Sequence, residues 1–256
     1  MIELSVNLNK IALLRNSRGG DQPSVLEAAD VAIGAGAYGI TVHPRPDQRH
    51  VRPRDVADLA DALRARHRGI EFNIEGNPFA GARDNGYPGF DALIESTRPD
   101  QCTLVPDGDS QLTSDHGWDL SGDTGRLVDS VRRFQACGAR VSLFMDPVPR
   151  QIDRAGAIGV ERIELYTGPF AEAVRAHGVE SEAAKQSLAT FARAAAHATS
   201  IGLGVNAGHD LDLVNLPLFR RIADVQEVSI GHALIGDALR IGLAAAVAAY
   251  IGVLRA

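Results

Sequence analysis

Short runs of alternating apolar and polar residues recur along the chain, and a stretch with the apolar spacing of a helix follows each of them. Side chains of an extended backbone point alternately to opposite faces, so such runs predict β-strands with one apolar face. The predicted strands cover residues 3–7, 39–43, 71–73, 101–105, 140–145, 162–166, 204–206 and 227–230.

The stretches between the strands carry the signals of helix ends. Helices are predicted to begin near Ser24, Pro53, Phe90, Thr124, Pro149, Ser181, Leu216 and Ile235. Regular alternation of strand and helix favours parallel strands joined by helical crossovers. Eight such units in 256 residues predict one (β/α)8 TIM barrel that forms a single domain over residues 1–256. No Gly-x-Gly-x-x-Gly opens the first helix, which argues against a dinucleotide-binding sheet.

The polar faces of these strands are expected to line the barrel. Alternate residues of each strand face the axis, and the carboxyl ends of the strands meet at the active-site face. If the apolar sets pack against the helices, polar side chains of strands one, two, three and six point inward, among them His43, Glu71, Glu75 and Glu164. Burying polar groups is costly unless they are paired, so we interpret His43 and Glu71 as catalytic candidates.

Residues at three strand ends predict anion binding. The segment 43–50 carries two imidazoles and two guanidinium groups, which suit an anion site beside an acid/base group. Strands seven and eight lead into the Gly-His pairs 208–209 and 231–232. The loops after these two strands often bind phosphate through backbone N–H groups at a helix start.

Two loops are longer than a barrel requires. Residues 76–89 follow strand three and are rich in Gly and Pro, and residues 107–120 follow strand four and include Thr113 and Trp118. Long loops in compact domains often serve as lids or binding loops. We favour the loop after strand four as a lid.

Charge and composition exclude several classes of partner. The net charge of −6 argues against nucleic acid. Cys102 and Cys137 lack metal-ligand spacing and are interpreted as core residues of a reducing compartment. The amino terminus lacks signal-peptide features, and the longest weakly polar stretch, residues 241–254, is too short to span a bilayer. We therefore expect a cytoplasmic protein with no membrane contact.

Motifs along nearly the whole chain carry a resemblance to a known family. They are VNLNKIALLRNSRG at 6–19, GITVHPRPDQRH at 39–50, Glu71, QCTLVP at 101–106, VSLFMD at 141–146, IELYTG at 163–168, VNAGH at 205–209 and SIGHALI at 229–235. The chain resembles pyridoxine 5′-phosphate synthase of the deoxyxylulose-dependent vitamin B6 route. The resemblance implies condensation of 1-deoxy-D-xylulose 5-phosphate with 3-amino-2-oxopropyl phosphate, giving pyridoxine 5′-phosphate, phosphate and water. It further implies an octamer of barrels that uses no metal and no other cofactor.

The resemblance also implies roles for individual residues. His43 and Glu71 match proton acceptors, and His209 matches a proton donor. Positions that hold the amino-ketone phosphate correspond to Asn7, Arg18, Gly231 and His232. Positions that hold the pentulose phosphate correspond to Arg45, His50 and Thr113. Further substrate contacts are expected where this chain departs from many relatives, at Asn9, Lys10 and Asp210.

Several alternatives stay open at this point. Glu71 and Glu75 share the same strand parity, and the resemblance favours Glu71. A phosphosugar aldolase that forms a Schiff base would have to use Lys10, which of the two lysines is the one near the end of strand one. A sensor that binds a phosphorylated ligand without turnover is a second alternative. A metal-dependent epimerase with His43, Glu71 and His209 as ligands is a third.

Overall fold

In a computed structural model, which describes residues 1–256, eight parallel strands close into a barrel in chain order. The strands are β1 Glu3–Asn7, β2 Gly39–Val42, β3 Glu71–Gly76, β4 Gln101–Leu104, β5 Arg140–Met145, β6 Arg162–Tyr166, β7 Gly204–Gly208 and β8 Glu227–Ile230. Pairing of β1 with β8, with Ser5 opposite Ser229, closes the sheet. The (β/α)8 barrel expected from the sequence is thereby confirmed.

Two strands run further than the sequence suggested. β3 continues to Gly76 and β7 to Gly208, although glycine usually weakens a strand. At Gly76 the missing side chain makes room for a core aromatic, because a Cβ there would lie 2.3 Å from the ring of Phe90. The strand therefore continues through a glycine that, from the sequence alone, predicts the end of a strand.

Eleven helices surround the barrel rather than the eight expected. They are α1 Asn9–Asn16, α2 Val25–Gly34, α3 Pro53–Arg66, α4 Phe90–Thr97, α5 Gly125–Ala136, α6 Pro149–Ile158, α7 Gly168–His177, α8 Glu182–Ser200, α9 Leu216–Phe219, α10 His232–Ile241 and α11 Leu243–Arg255. The prediction missed α1 and α7. Neither has a side-chain cap, although Pro169 in the first turn of α7 is a start signal that could have revealed it. The last helix is divided in two at Gly242, whose φ of 85° ends α10.

The apolar core lies between the sheet and the helices. Outward residues such as Val6, Ile40 and Ile74 are fully buried there, and an aromatic cluster of Phe170, Phe191 and Phe219 packs between α7, α8 and α9. Burial of these side chains is the main source of stability. No helix of the structure has the length and apolar character that a bilayer crossing requires.

The barrel interior is polar, as the strand parity predicted. The Ser5 and Thr41 hydroxyls share a hydrogen bond of 2.7 Å, and Asn73 joins Thr41 to Thr103 at 3.4 and 3.2 Å. Because these groups satisfy one another, the interior avoids much of the cost of unpaired polar burial.

Candidate active site

A cavity of about 390 Å³ opens at the carboxyl ends of the strands. It is lined by eleven of the residues selected from the sequence: Asn7, Asn9, Lys10, His43, Arg45, His50, Thr113, His209, Asp210, Gly231 and His232. These residues lie far apart in the chain, and the barrel brings them together because parallel strands all end at the same face. Two selected residues, Glu71 and Arg18, lie outside the cavity.

Glu71 lies at the opposite end of the barrel, so the expectation that it reaches the mouth is wrong. It is the first residue of β3, whereas His43 follows the last residue of β2. Its carboxylate accepts a 2.5 Å hydrogen bond from Arg140, the first residue of β5. The strand parity was correct, but the direction of the strand places Glu71 at the amino end and Glu75 at the carboxyl end.

Glu75 is the carboxyl group beside His43. Its Oε2 lies 3.8 Å from His43 Nδ1 and accepts a hydrogen bond from Asn7 at 3.3 Å, while Oε1 accepts one from Ser229 at 3.5 Å. Burial, followed by the charge of Asp107, raises the pKa of Glu75 to about 8. Glu75 is therefore a neutral carboxylic acid near pH 7, able to give up a proton.

His43 is held as a neutral imidazole. Burial lowers its pKa well below the usual value, and the positive charge of Arg45 lowers it further. The backbone N–H of His43 donates to Asn9 Oδ1 at 2.9 Å, which ties the end of β2 to the start of α1. A neutral imidazole next to a neutral carboxylic acid forms an acid/base pair with both partners in the state that proton transfer requires.

His50 has a fixed tautomer. Its Nδ1 accepts a 2.9 Å hydrogen bond from the backbone N–H of Val51. Burial, and then the charge of Arg45, lowers the pKa of His50 to about 3. The ring is therefore neutral, with its proton on Nε2, and can act as a hydrogen-bond donor but not as a cation.

Two arginines of the segment after β2 hold the loop after β4 over the mouth. Arg45 pairs with the buried carboxylate of Asp107 and donates to the carbonyl of Gln111 at 3.3 Å. Arg49 donates to the carbonyls of Gln111 and Leu112, each at 3.1 Å. The loop that we expected to serve as a lid thus reaches the mouth, where Leu112 and Thr113 line the cavity.

The mouth also contains the start of a helix. α10 begins at His232, directly after Gly231, so its first backbone N–H groups have no partner within the helix. A Cβ on Gly231 would lie 3.0 Å from the Cβ of Asn7, so glycine allows β8 to end close to β1. Helix starts of this kind favour phosphate.

Glu164 is a site residue that our sequence reasoning did not select, although its parity pointed inward. It lines the floor of the cavity, is 3% exposed, and its Oε2 atom has no hydrogen-bond partner. Burial, together with the nearby charge of Glu75, raises its pKa well above the usual value. A Cβ on Gly208 would lie 2.1 Å from Glu164 Oε1, so this glycine provides the space that the carboxyl group occupies.

His209 contacts the loop after β4. Its Nε2 lies 2.7 Å from the Thr113 hydroxyl, and its ring packs edge-on against Tyr166 at 5.4 Å between centroids. Its backbone has a φ of 83°, a conformation uncommon outside glycine. The hydroxyl of Thr167 donates to the Gly208 and His209 carbonyls and holds this turn in place.

The metal-ligand set considered from the sequence does not come together. Glu71 lies at the far end of the barrel from His43 and His209, and no three His, Cys, Asp or Glu side chains converge as metal ligands do. Lys10 does line the cavity, which keeps it within reach of a bound carbonyl compound. Arg18 is exposed, in the turn after α1.

Comparisons with known proteins identify close relatives. The model of the family described as "Pyridoxal phosphate biosynthesis protein PdxJ" matches residues 4–256. A pyridoxine 5′-phosphate synthase of Xanthomonas oryzae pv. oryzae is 56% identical over 254 residues, covering 99% of this chain and 96% of the relative. The enzyme of the same name from Xylella fastidiosa is 54% identical over 252 residues, covering 98% of this chain and 94% of the relative.

Solved structures with lower identity share the fold. The 3-hexulose-6-phosphate synthase from Salmonella typhimurium superposes with a TM-score of 0.65 at 13% identity, covering 99% of this chain and 98% of that one. A thiamine phosphate pyrophosphorylase from Pyrococcus furiosus gives 0.60 at 11% identity, covering 99% and 95%. At this identity the likeness concerns the barrel alone.

Proposed function

We infer the reaction from one premise: this chain belongs to the family of the pyridoxal phosphate biosynthesis protein PdxJ. It is an enzyme of the pyridoxine 5′-phosphate synthase type. The proposed reaction condenses 1-deoxy-D-xylulose 5-phosphate with 3-amino-2-oxopropyl phosphate to pyridoxine 5′-phosphate, phosphate and water. The observation that supports it best is a single mouth that combines a neutral acid/base pair, His43 and Glu75, with groups suited to two phosphates.

The reaction needs proton transfer more than it needs a covalent enzyme adduct. The amine of one substrate and the ketone of the other form an imine with each other, so no enzyme lysine is required. Ring closure then removes protons from carbon and nitrogen and protonates leaving oxygens. These steps require groups that gain and lose protons near neutral pH.

In the proposed mechanism the carboxylate role passes from Glu71 to Glu75. His43, buried and neutral, accepts a proton from the condensing substrates. Glu75, buried and protonated, supplies a proton to a leaving oxygen. Because their side chains lie 3.8 Å apart, a proton gained by His43 can return to Glu75 with a small movement of either side chain. His209, at the other side of the mouth, is proposed as the second proton donor.

Two regions of the mouth are proposed to hold the two phosphates. The amino-ketone phosphate would bind the backbone N–H groups at the start of α10, next to Asn7, Gly231 and His232. The pentulose phosphate would bind the Arg45 fork, His50 Nε2–H and the Thr113 hydroxyl. Arg45 must then share its charge between Asp107 and the ligand.

Other features implied by the resemblance stay predictions. They are a binding role for Arg18, contacts of the substrates with Asn9, Lys10 and Asp210, catalysis without a metal or other cofactor, assembly as an octamer, and a cytoplasmic location. Exposed apolar side chains on α1 and α10, including Leu13, Leu14 and Leu239, support contacts between copies. Light scattering of the purified protein would give the number of copies directly.

A product assay tests the proposal. The protein, treated with a chelator and dialysed, is incubated with both substrates, and pyridoxine 5′-phosphate is measured by liquid chromatography with fluorescence detection. We expect product only when both substrates are present, and at the same rate with or without the chelator. Binding of either substrate without product would favour the sensor alternative.

A further inference from the structure

His209 has a carboxylate at the ring nitrogen that faces away from Thr113. Asp210 Oδ2 lies 3.0 Å from His209 Nδ1, within ion-pair distance, and this buried nitrogen has no aligned hydrogen-bond partner. The opposite ring nitrogen, Nε2, lies 2.7 Å from the Thr113 hydroxyl within the mouth. The imidazole therefore stands between a negative charge and the cavity.

The backbone holds this arrangement in place. His209 and Asp210 have φ values of 83° and 58°, so the chain makes a left-handed turn at the end of β7. The Thr167 hydroxyl donates to the His209 carbonyl, and the Asn215 side-chain amide donates to the Asp210 carbonyl at 3.0 Å. The turn brings two adjacent side chains face to face, which an extended strand end would not do.

We propose that Asp210 is a positioning residue for His209, whose carboxylate keeps a proton on Nδ1 and stabilises the protonated ring. Nε2 then carries the exchangeable proton, and it faces the cavity. A carboxylate behind an imidazole orients the ring and favours its cationic form in many enzymes. The catalytic consequence rests on the proposed function, but the contact between the two side chains does not.

The charges around His209 agree with this role. The pKa of Asp210 is lowered first by its contact with His209 and further by the positive charges of His232 and Arg175. Tyr166 packs against the imidazole of His209. The negative charges near Tyr166 come from Asp210, Asp115 and Asp146. Among these, the carboxylate that contacts the imidazole is that of Asp210.

The test measures the protonation of His209 without relying on turnover. Diethyl pyrocarbonate reacts with neutral imidazole. The rate at which it modifies the peptide containing His209 is followed by mass spectrometry between about pH 5 and 8, and this rate reports the titration of the ring. In Asp210→Asn the midpoint of this titration is expected to fall, because the carboxylate beside the ring is lost. The expected fall is about 0.5–1 pH unit, because a half-exposed carboxylate stabilises a cation less than a buried one. Asparagine tolerates the left-handed turn, so the fold should be kept.

Controls separate the contact from general charge. Asp115→Asn removes one negative charge from the loop over the mouth, where the Asp115 carboxylate pairs with His116 and Gln111. This variant should leave the midpoint of the His209 titration unchanged. Asp210→Glu should restore part of the shift. An unchanged midpoint in a folded Asp210→Asn protein, or an equal shift in Asp115→Asn, would overturn the proposal.

The pH profile of product formation completes the test. If wild-type protein makes pyridoxine 5′-phosphate, Asp210→Asn should move the basic limb of its kcat profile to lower pH. If the midpoint of His209 shifts but wild-type protein makes no product, the contact stands and the proposed function fails. If product forms and neither the midpoint nor the profile moves, the positioning role is wrong and the proposed function stands.

Discussion

Replacing the carboxyl group of Glu75 by an amide is expected to abolish most of the turnover while leaving the substrates bound. Glu75→Gln keeps the size of the side chain, its amide oxygen can still accept from Asn7, and its NH2 can donate to the Ser229 hydroxyl, but an amide has no acidic proton to give. Loss of one general acid/base group costs about 10²–10⁴ in rate. At about 1.4 kcal/mol per factor of ten, the barrier rises by about 3–5 kcal/mol.

Glu71→Gln is the matched control at the other end of the same strand. Its carboxylate pairs with Arg140, whose side chain is 31% exposed, so the change removes a partly buried ion pair. We expect about 1–3 kcal/mol of lost stability, less than for a fully buried pair, and a kcat within about threefold of the wild-type value. Steady-state kinetics, calorimetric binding of each substrate and urea unfolding measure these quantities.

The pH dependence of stability gives a second, independent measurement on Glu75. The pKa of about 8 in the folded protein lies above the ordinary value of 4.5, so the folded state holds an extra proton between these values. Stability contributed by the neutral carboxyl is present at low pH and is lost as pH rises, with a slope of at most about 1.4 kcal/mol per pH unit. Glu75→Gln lacks this term, so its stability relative to wild type should rise between about pH 5 and 8.

The comparison with wild type is needed because Glu164 and Glu227 also have raised pKa values. The difference between the two proteins reports Glu75 itself together with the part of the Glu164 shift that the charge of Glu75 causes. The reasoning on Glu75 would be refuted by a Glu75→Gln protein that binds and turns over normally. It would be refuted equally by a Glu71→Gln protein that is folded, binds both substrates and loses turnover by a hundredfold or more.

Three further predictions concern the rest of the mouth. Gly208→Ala should displace Glu164, whose Oε1 would lie 2.1 Å from the new Cβ. The free energy of unfolding in urea should fall by about 1–3 kcal/mol, and kcat should fall as well. An unchanged free energy of unfolding and an unchanged kcat would contradict the packing argument. Borohydride added with either substrate should leave the mass of the protein unchanged, and a stable adduct that disappears in Lys10→Met would instead support the aldolase alternative. Arg45→Ala should weaken binding of the pentulose phosphate at least tenfold more than binding of the amino-ketone phosphate, as measured by calorimetry, because Arg45 lies on the side of the mouth next to Asp107 and His50. Equal weakening of both ligands would show that the two phosphate regions are wrongly assigned.

The barrel and most of its mouth could be predicted because both follow from local patterns. Alternation of polar and apolar residues fixes which side chains face the axis, and strand ends in a parallel barrel share one face. The same pattern could not decide between Glu71 and Glu75, which have equal parity. That choice depends on the register of β3 beside β2, which sets Glu71 opposite Gly39 at the amino end and places Glu75 after the pairing of Ile74 with Val42.

Contacts between distant loops were also beyond the sequence. The ion pair of Arg45 with Asp107 joins residues 62 positions apart, and it depends on how the loops after β2 and β4 fold over the mouth. Similarly, Asp210 contacts His209 only because the chain turns left-handed at the end of β7. Neither arrangement has a periodic signal along the chain.

Phosphorus NMR of the protein with both substrates tests the central claim, the condensation of two phosphorylated substrates at this mouth, most directly. The two substrate resonances should fall together, while one resonance of pyridoxine 5′-phosphate and one of inorganic phosphate rise in equal amounts. Glu75→Gln should bind both substrates and produce neither signal at a comparable rate. Inorganic phosphate released without pyridoxine 5′-phosphate, or from one substrate alone, would contradict the account.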